Sequence, residues 1–238
     1  MGKVYQRYDV MEEILLKYNA IQSLGYVNCK IPQDVFKTVE DEISEIIKTN
    51  FEHATKYNAS LAGAIEHEYR LHKCEDILNK FFKQVIPEYW RLNNDFKKAK
   101  QQYQIHRNKS MLSKPDLWCN IQKKYEYNPV HNHAGDLSFV LYIKIPYDLK
   151  EEAEQPHIKN SLDKVLPAFN FLCPSIGNFI NAAGQRLLVE TYTITLDRSH
   201  EGMMLIFPAW LQHMVTPFYT SEDYRISVSG NLTLVDNG

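Results

Sequence analysis

The sequence carries no mark of membrane insertion, export or a cross-linked scaffold. No apolar run approaches the roughly 20 residues needed to span a bilayer. The start, MGKVYQRYDVMEEILLKY, lacks the basic-then-apolar order of a secretory signal. The four cysteines, Cys29, Cys74, Cys119 and Cys173, include no Cys-x-x-Cys pair, which argues against a zinc ribbon or a thioredoxin-type centre. A reducing cytoplasm with free thiols is the expected setting, and the sequons at Asn58, Asn108 and Asn231 then read as chance matches. A formal net charge of -2 gives no global attraction to nucleic acid or to anionic membranes, so a charged partner must be met locally. Internal repeats and low-complexity tracts are also missing.

The 238 residues, 44% of them hydrophobic, suffice for a substantial core in one domain spanning 1–238. Its first part, 1–114, reads as mainly helical support. Val35, Phe36, Val39, Ile43, Ile46 and Ile47 recur at helix spacing after Pro32. Ile77, Leu78, Phe81, Phe82, Val85 and Ile86 form a second stripe, which Pro87 is expected to end or kink. Both read as core-packing helices. The stretch 95–114 holds six Lys/Arg against one acid, with Phe96, Tyr103 and His106 interspersed. It is either a solvated face or a contact for a phosphate-bearing partner, and no nucleic-acid motif accompanies it.

After Pro115 the texture changes to short β-rich runs: LSFVLYIKI (137–145), RLLVETYTITL (186–196), MMLIF (203–207) and YRISVSGNLTLV (224–235). Such spacing predicts a barrel or sandwich. Between them, 148–175 reads as a charged, proline-containing insertion, expected to be a lid or a binding loop that contacts substrate.

Three segments converge on one chemistry: NPVHNHAGDLSF (128–139), GMMLIFPAWLQHM (202–214) and YRISVSGN (224–231). His131 and His133 are two apart, so on a strand both imidazoles project from one face, as metal chelation requires. Asp136 follows in the turn and offers a carboxylate. His213, beyond Pro208 and Trp210, is placed to complete a three-ligand face whose open positions would take a bidentate co-substrate and oxygen, the pattern of non-haem Fe(II) oxygenases. Arg225, Ser227 and Ser229 share the face of a later strand opposite Ile226 and Val228. A guanidinium buried there calls for an anion.

The run WCNIQKKYEYNPVHNHAGDLSFVLYIKIP (118–146), with LIFPAWLQHMVTPF and RISVSGNL, resembles the 2-oxoglutarate, Fe(II)-dependent oxygenases carried by tailed phages of aquatic bacteria. LAGAIEHEYRL (61–71) is similar to that family's N-terminal region. The resemblance implies an α+β fold in which a double-stranded β-helix (jelly-roll, cupin-like) barrel over 115–238 is supported by N-terminal helices, related to prolyl-hydroxylase-like enzymes. It implies an oxidoreductase with Fe(II) as cofactor and 2-oxoglutarate as co-substrate, oxidising a substrate with release of succinate and carbon dioxide in the host cytoplasm. His131 and His213 would be metal ligands, and Arg225 with Ser227 would take the far carboxylate of 2-oxoglutarate. Asn120, Tyr142 and Lys144 are further polar candidates for that pocket.

The family normally presents His-x-Asp or His-x-Glu, whereas the third position here is His133. The metal face is therefore either His131, His133 and His213, or two histidines with Asp136. Strand parity favours His133, with Asp136 then orienting an imidazole from behind, while the preference of a hard cation for an anionic ligand favours Asp136. Two other functions fit the motifs. One is a cupin-type metalloenzyme without 2-oxoglutarate, since GMMLIFPAWLQH keeps a Gly-x5-Pro-x4-His spacing; the other is a non-catalytic jelly-roll binding module. A zinc hydrolase fits poorly, because in HNHAGD the aspartate comes one residue late and Leu137 stands where a histidine belongs. The substrate and the oligomeric state are not encoded in any of these motifs.

Overall fold

A computed structural model describes residues 4–5, 16–21, 24–99, 109–112, 115–174 and 189–236. In chain order the strands are β1 (Val4–Tyr5), β2 (Leu16–Ile21), β3 (Leu24–Lys30), β4 (His67–Arg70), β5 (Lys109–Leu112), β6 (Asp116–Gln122), β7 (Asn128–His131), β8 (Leu137–Lys144), β9 (Ala168–Pro174), β10 (Val189–Thr195), β11 (Met203–Pro208), β12 (His213–Val215), β13 (Arg225–Leu232) and β14 (Leu234–Asp236). The α-helices are α1 (Gln33–Lys48), α2 (Glu75–Ala99), α3 (Leu149–Ala153) and α4 (Pro156–Lys159). No helix among the described residues is long and apolar enough to cross a membrane.

The strands form an eight-stranded sheet of order β1-β2-β3-β11-β8-β13-β6-β4, a four-stranded sheet of order β10-β9-β12-β7, and the small pair β14-β5. All pairings in them are antiparallel. The expected closed barrel does not form: among the described residues no strand of the larger sheet pairs with one of the smaller. Side chains join the two sheets instead. Val140, Tyr142, Leu205 and Phe207 from the larger pack with Phe169, Phe171 and Cys173 from the smaller, and the Phe169 and Phe207 rings lie 5.6 Å apart. Backbone closure is not needed where apolar faces can meet in this way.

Alternation along the central strands decides which residues reach which face. Leu137, Phe139, Leu141 and Ile143 of β8, with Ile226 and Val228 of β13, turn toward α1 and α2 and join one buried cluster with Val35, Val39, Ile43, Leu78 and Phe82. Each such fully buried side chain contributes about 1.5–3 kcal/mol. The opposite face presents Asn120 and Gln122 of β6, Tyr142 of β8 and Arg225, Ser227 and Ser229 of β13.

The N-terminal part is less purely helical than its periodicity predicts, because β1 to β4 all join the larger sheet. β3 pairs with β11, far along the chain, so no local pattern could reveal the partnership. Helix α2 also runs through Pro87 rather than ending there. Proline removes one backbone donor, but Tyr89 and Leu92 continue the buried stripe beyond it, and the Tyr89 hydroxyl donates to the Gly25 carbonyl at 3.1 Å. Glu42 of α1, itself buried, accepts from the backbone N–H groups of His72, Lys73 and Cys74 and so fixes the entry to α2.

The 148–175 insertion contains α3 and α4, but Ala168–Pro174 is β9, a strand of the smaller sheet. The buried Glu152 of α3 accepts from Tyr219 N, Thr220 N and the Thr220 hydroxyl, anchoring the helix to the chain that follows β12. The basic stretch 95–114 passes through the end of α2 and β5, and its residues 100–108 and 113–114 lie outside the described residues.

Gly230 of β13 shows how tightly the helix-facing layer is filled. A Cβ there would lie 2.5 Å from the Asp116 carbonyl oxygen and 2.6 Å from the Phe139 ring. A Gly230→Ala protein should therefore lose about 1–3 kcal/mol of stability through overpacking, to be read as a lower urea midpoint at unchanged slope.

Candidate metal centre and adjoining pocket

The three histidines predicted as ligands meet at the smaller sheet. His131 ends β7 and His213 begins β12, and the two are direct cross-strand partners. Residues opposite each other in an antiparallel pair bring their Cβ atoms within about 5.5 Å, so the pairing itself juxtaposes the rings. His133 lies just beyond β7, held by its N–H donating to the Ala209 carbonyl at 2.8 Å. One ring nitrogen from each of His131, His133 and His213 lies within 4.8 Å of the others. The His133 and His213 Nε2 atoms are 3.2 Å apart.

Second partners settle which nitrogen of two rings faces inward. Nδ1 of His131 is 2.7 Å from the Pro129 carbonyl, and Nδ1 of His213 is 2.8 Å from the Leu211 carbonyl. A carbonyl only accepts, so Nδ1 carries the proton and Nε2 keeps its lone pair toward the cluster, the arrangement metal-binding imidazoles use. Burial lowers the pKa of His131; burial, then the neighbouring His131, brings His133 down to about 4 and His213 to about 3. All three are thus neutral near pH 7, the form that ligates. His213 is 3% exposed and stacks on Phe169 with ring centroids 5.2 Å apart.

Asp136 does not join this group. Its backbone braces the turn instead, the N–H donating to the Leu232 carbonyl at 3.0 Å and the carbonyl accepting from Ala209 N at 3.2 Å. Gly135, at φ +99°, makes that turn in the left-handed region.

The imidazoles open onto a pocket whose far wall is the polar face of the larger sheet. Arg225 is 2% exposed. Its Nε and Nη2 donate to Gln122 Oε1 at 3.1 and 2.9 Å, Nη2 to the Thr216 carbonyl at 2.8 Å, and Nη1 to the Tyr147 hydroxyl at 3.3 Å. Gln122 is held in the matching orientation because its Nε2 donates to the Glu126 carbonyl. Every one of these acceptors is neutral, and no carboxylate pairs with Arg225 among the described residues. A buried guanidinium without a counter-charge is costly.

Beside it, the Tyr142 hydroxyl is enclosed without a partner, and its pKa is raised chiefly by burial, so it stays a donor. Asn120 Nδ2 donates to the Ser227 and Ser229 hydroxyls, each at 3.4 Å, while Asn120 Oδ1 is enclosed without a donor. Lys144 points away from the pocket and pairs with Asp223 at 2.6 Å on the surface. The structure thus brings His131, His133, His213, Asn120, Tyr142, Arg225 and Ser227 to one pocket and leaves Asp136 and Lys144 outside its lining.

Among the lining residues not singled out from the sequence are Trp118, whose ring lies 5.6 Å from that of His133, Gln122 and Glu68. Gln122 could have been found, since it shares strand parity with Asn120. Glu68 sits in a four-residue strand, too short for a readable alternation.

Residues 116–231 match the model of a family described as "Putative 2OG-Fe(II) oxygenase", where 2OG is 2-oxoglutarate. No curated protein matches the chain. Among solved structures, a Pseudomonas putida prolyl-4-hydroxylase is 12% identical, with 90% of this chain and 94% of that one covered at a TM-score of 0.46. An oxidoreductase of the 2OG-Fe(II) oxygenase family from Burkholderia pseudomallei is 10% identical, with 100% and 75% covered at a TM-score of 0.38. Over the segment that carries His131, His133, His213 and Arg225, the family this chain resembles is that of the 2OG-Fe(II) oxygenases.

Proposed function

We propose that the chain is a non-haem Fe(II), 2-oxoglutarate-dependent dioxygenase of the hydroxylase type, its two facing sheets being the halves of a double-stranded β-helix. His131, His133 and His213 would hold Fe(II), and Arg225, Tyr142 and Ser227 would hold the far carboxylate of 2-oxoglutarate. The observation that carries this reading is the buried Arg225, which has only neutral acceptors and lies in the same pocket as three neutral imidazoles. A metal site that worked without a dianionic co-substrate would have no use for that guanidinium, which disfavours the cupin-type alternative.

The donor set fits the ion. Two Nε2 lone pairs converge with a third imidazole, and a cation is what relieves three inward-facing nitrogens packed this closely. Three protein ligands leave positions open for a bidentate co-substrate and oxygen. Fe(II) with 2-oxoglutarate supplies the oxidation when bound, the co-substrate leaving as succinate and carbon dioxide. The chain's own residues bind and orient. Gln122 aims the Arg225 fork, the Tyr142 hydroxyl offers a proton to a carboxylate oxygen, and Phe169 and Phe207 exclude water from behind His213.

The deciding test is calorimetric titration of 2-oxoglutarate into the anaerobic Fe(II)-loaded protein, with succinate release measured afterwards in air. One iron per chain, saturable binding below millimolar concentration and slow succinate formation are expected. Iron bound with no 2-oxoglutarate uptake at millimolar concentration would overturn the proposal. Tyr142→Phe provides a second check with effects of opposite sign. Removing an enclosed, unpartnered hydroxyl should raise the stability of the ligand-free protein by about 1 kcal/mol. The same change should weaken 2-oxoglutarate binding by roughly 3- to 10-fold through the lost hydrogen bond. Thermal melts with and without 2-oxoglutarate measure both.

A further inference from the structure

One acidic side chain in the pocket has no part in holding iron or 2-oxoglutarate. Glu68 of β4 is fully buried at 0% exposure and lies in the pocket lining with Asn120. Strand register places it in a row across the larger sheet: Glu68 opposite Asn120, Asn120 opposite Ser227, Ser227 opposite Tyr142. Its Oε2 accepts from Asn58 Nδ2 at 3.2 Å, while Oε1 is enclosed without a partner, as is Asn120 Oδ1. Among the described residues no cation pairs with Glu68. Gly63 leaves the space beside it, since a Cβ there would lie 2.4 Å from Oε1 and 3.0 Å from Asn128 Nδ2. Burial, then Glu126, holds the carboxyl up at about 7.

Two neighbouring acceptors are therefore kept dry with nothing to accept from, and a carboxyl in that position is costly unless a ligand completes it. Arg225, the other charged lining residue apart from the histidines, lies off this row, two residues along β13 from Ser227 and opposite Gln122. Strands about 4.8 Å apart put β4 about 10 Å from β13. We propose that Glu68 and Asn120 are the recognition point for the substrate to be oxidised, and that this substrate presents a protonated amine or guanidinium. The assignment rests on the oxygenase reading, in which 2-oxoglutarate takes the Arg225 end and leaves the acidic end to the substrate. A phosphate-rich ligand such as nucleic acid would meet a carboxyl here and be repelled.

The test uses the full chain loaded anaerobically with Fe(II) and 2-oxoglutarate, so that nothing turns over. The probes are n-butylguanidinium and n-butylammonium chloride, with pentanamide as a neutral analogue of similar length, each titrated calorimetrically into the wild type and Glu68→Gln. The cations should bind the wild type at least about tenfold more tightly than the amide. Glu68→Gln should abolish that preference while melting no lower than the wild type, because it removes an unpaired buried carboxyl. Equal binding of cations and amide by the wild type would overturn the inference with no variant needed. A preference that survives in Glu68→Gln would overturn it too, as would a variant that melts well below the wild type, which would mark Glu68 as structural. Uptake of 2-oxoglutarate in the same samples separates the two ideas. If it binds and the cations show no preference, only this inference fails; if it does not bind and the preference persists on iron-loaded protein, the oxygenase reading fails and the amine site stands.

Discussion

A His213→Ala protein is expected to emerge from purification folded but without stoichiometric iron, and to bind added Fe(II) at least about 100-fold more weakly than the wild type. Loss of a group that merely orients a ligand already costs 10- to 100-fold in metal affinity, and His213 is more than that in the proposed centre. Its Nε2 is 3.2 Å from that of His133, and its Nδ1 is committed to the Leu211 carbonyl, so Nε2 is the atom it offers to a metal. Removing the ring opens a gap beside Phe169 and Phe207, which will lower stability, but the helix-facing core lies on the other face of the larger sheet and should hold the fold. Metal analysis and far-UV circular dichroism on the same sample separate metal loss from unfolding. His133→Ala should behave likewise, whereas Asp136→Ala should keep its iron. Iron lost only from the Asp136 variant would move the third ligand from His133 to Asp136.

The second large effect is expected at Arg225, on the co-substrate alone. A charge-assisted contact to a carboxylate is worth about 1.5–3 kcal/mol, so Arg225→Lys, which keeps the charge but loses the planar fork, should raise the Kd for 2-oxoglutarate by roughly 10- to 100-fold at 1.4 kcal/mol per decade. Lysine is the better first variant. Arg225→Ala would leave Gln122 Oε1 and the Thr216 carbonyl buried without donors, confounding affinity with stability. Iron content should be unchanged, since among the described residues the guanidinium donates to Gln122, Thr216 and Tyr147 and to none of the three histidines. Parallel loss of iron and 2-oxoglutarate in Arg225→Lys would show that the residue supports the fold rather than the ligand.

Much of the site was legible in the sequence because strand parity is a local property. His131 with His133, and Arg225 with Ser227, share a face by spacing alone, and the runs around 137–145, 203–207 and 224–235 fall on β8, β11 and on β13 with β14. The 186–196 run falls on β10 from Val189 onward, its first three residues lying outside the described set. What could not be read depends on pairing between distant segments. LGYVNCK joins the central sheet through β11, far along the chain, and Glu68 becomes a pocket residue only because β4 extends the sheet past β6. Pro87 does not end α2 for a related reason. The cost of one missing backbone donor is local, but the burial of Tyr89 and Leu92 that offsets it is tertiary.

The imidazoles and the guanidinium belong to different layers, the former to the smaller sheet and its flanking turns, the latter to the larger. No backbone ladder ties those layers together among the described residues; the Phe169–Phe207 contact and its neighbours set their separation. In the proposed reading the centre would work as a caliper. Each jaw is built on its own hydrogen-bonded sheet, and the gap between them is set by aromatic packing in which Phe169 and Phe207 lie directly against His213. A change in ring size at Phe207 should shift the length of dicarboxylate that spans the jaws, favouring a shorter or longer keto acid over 2-oxoglutarate.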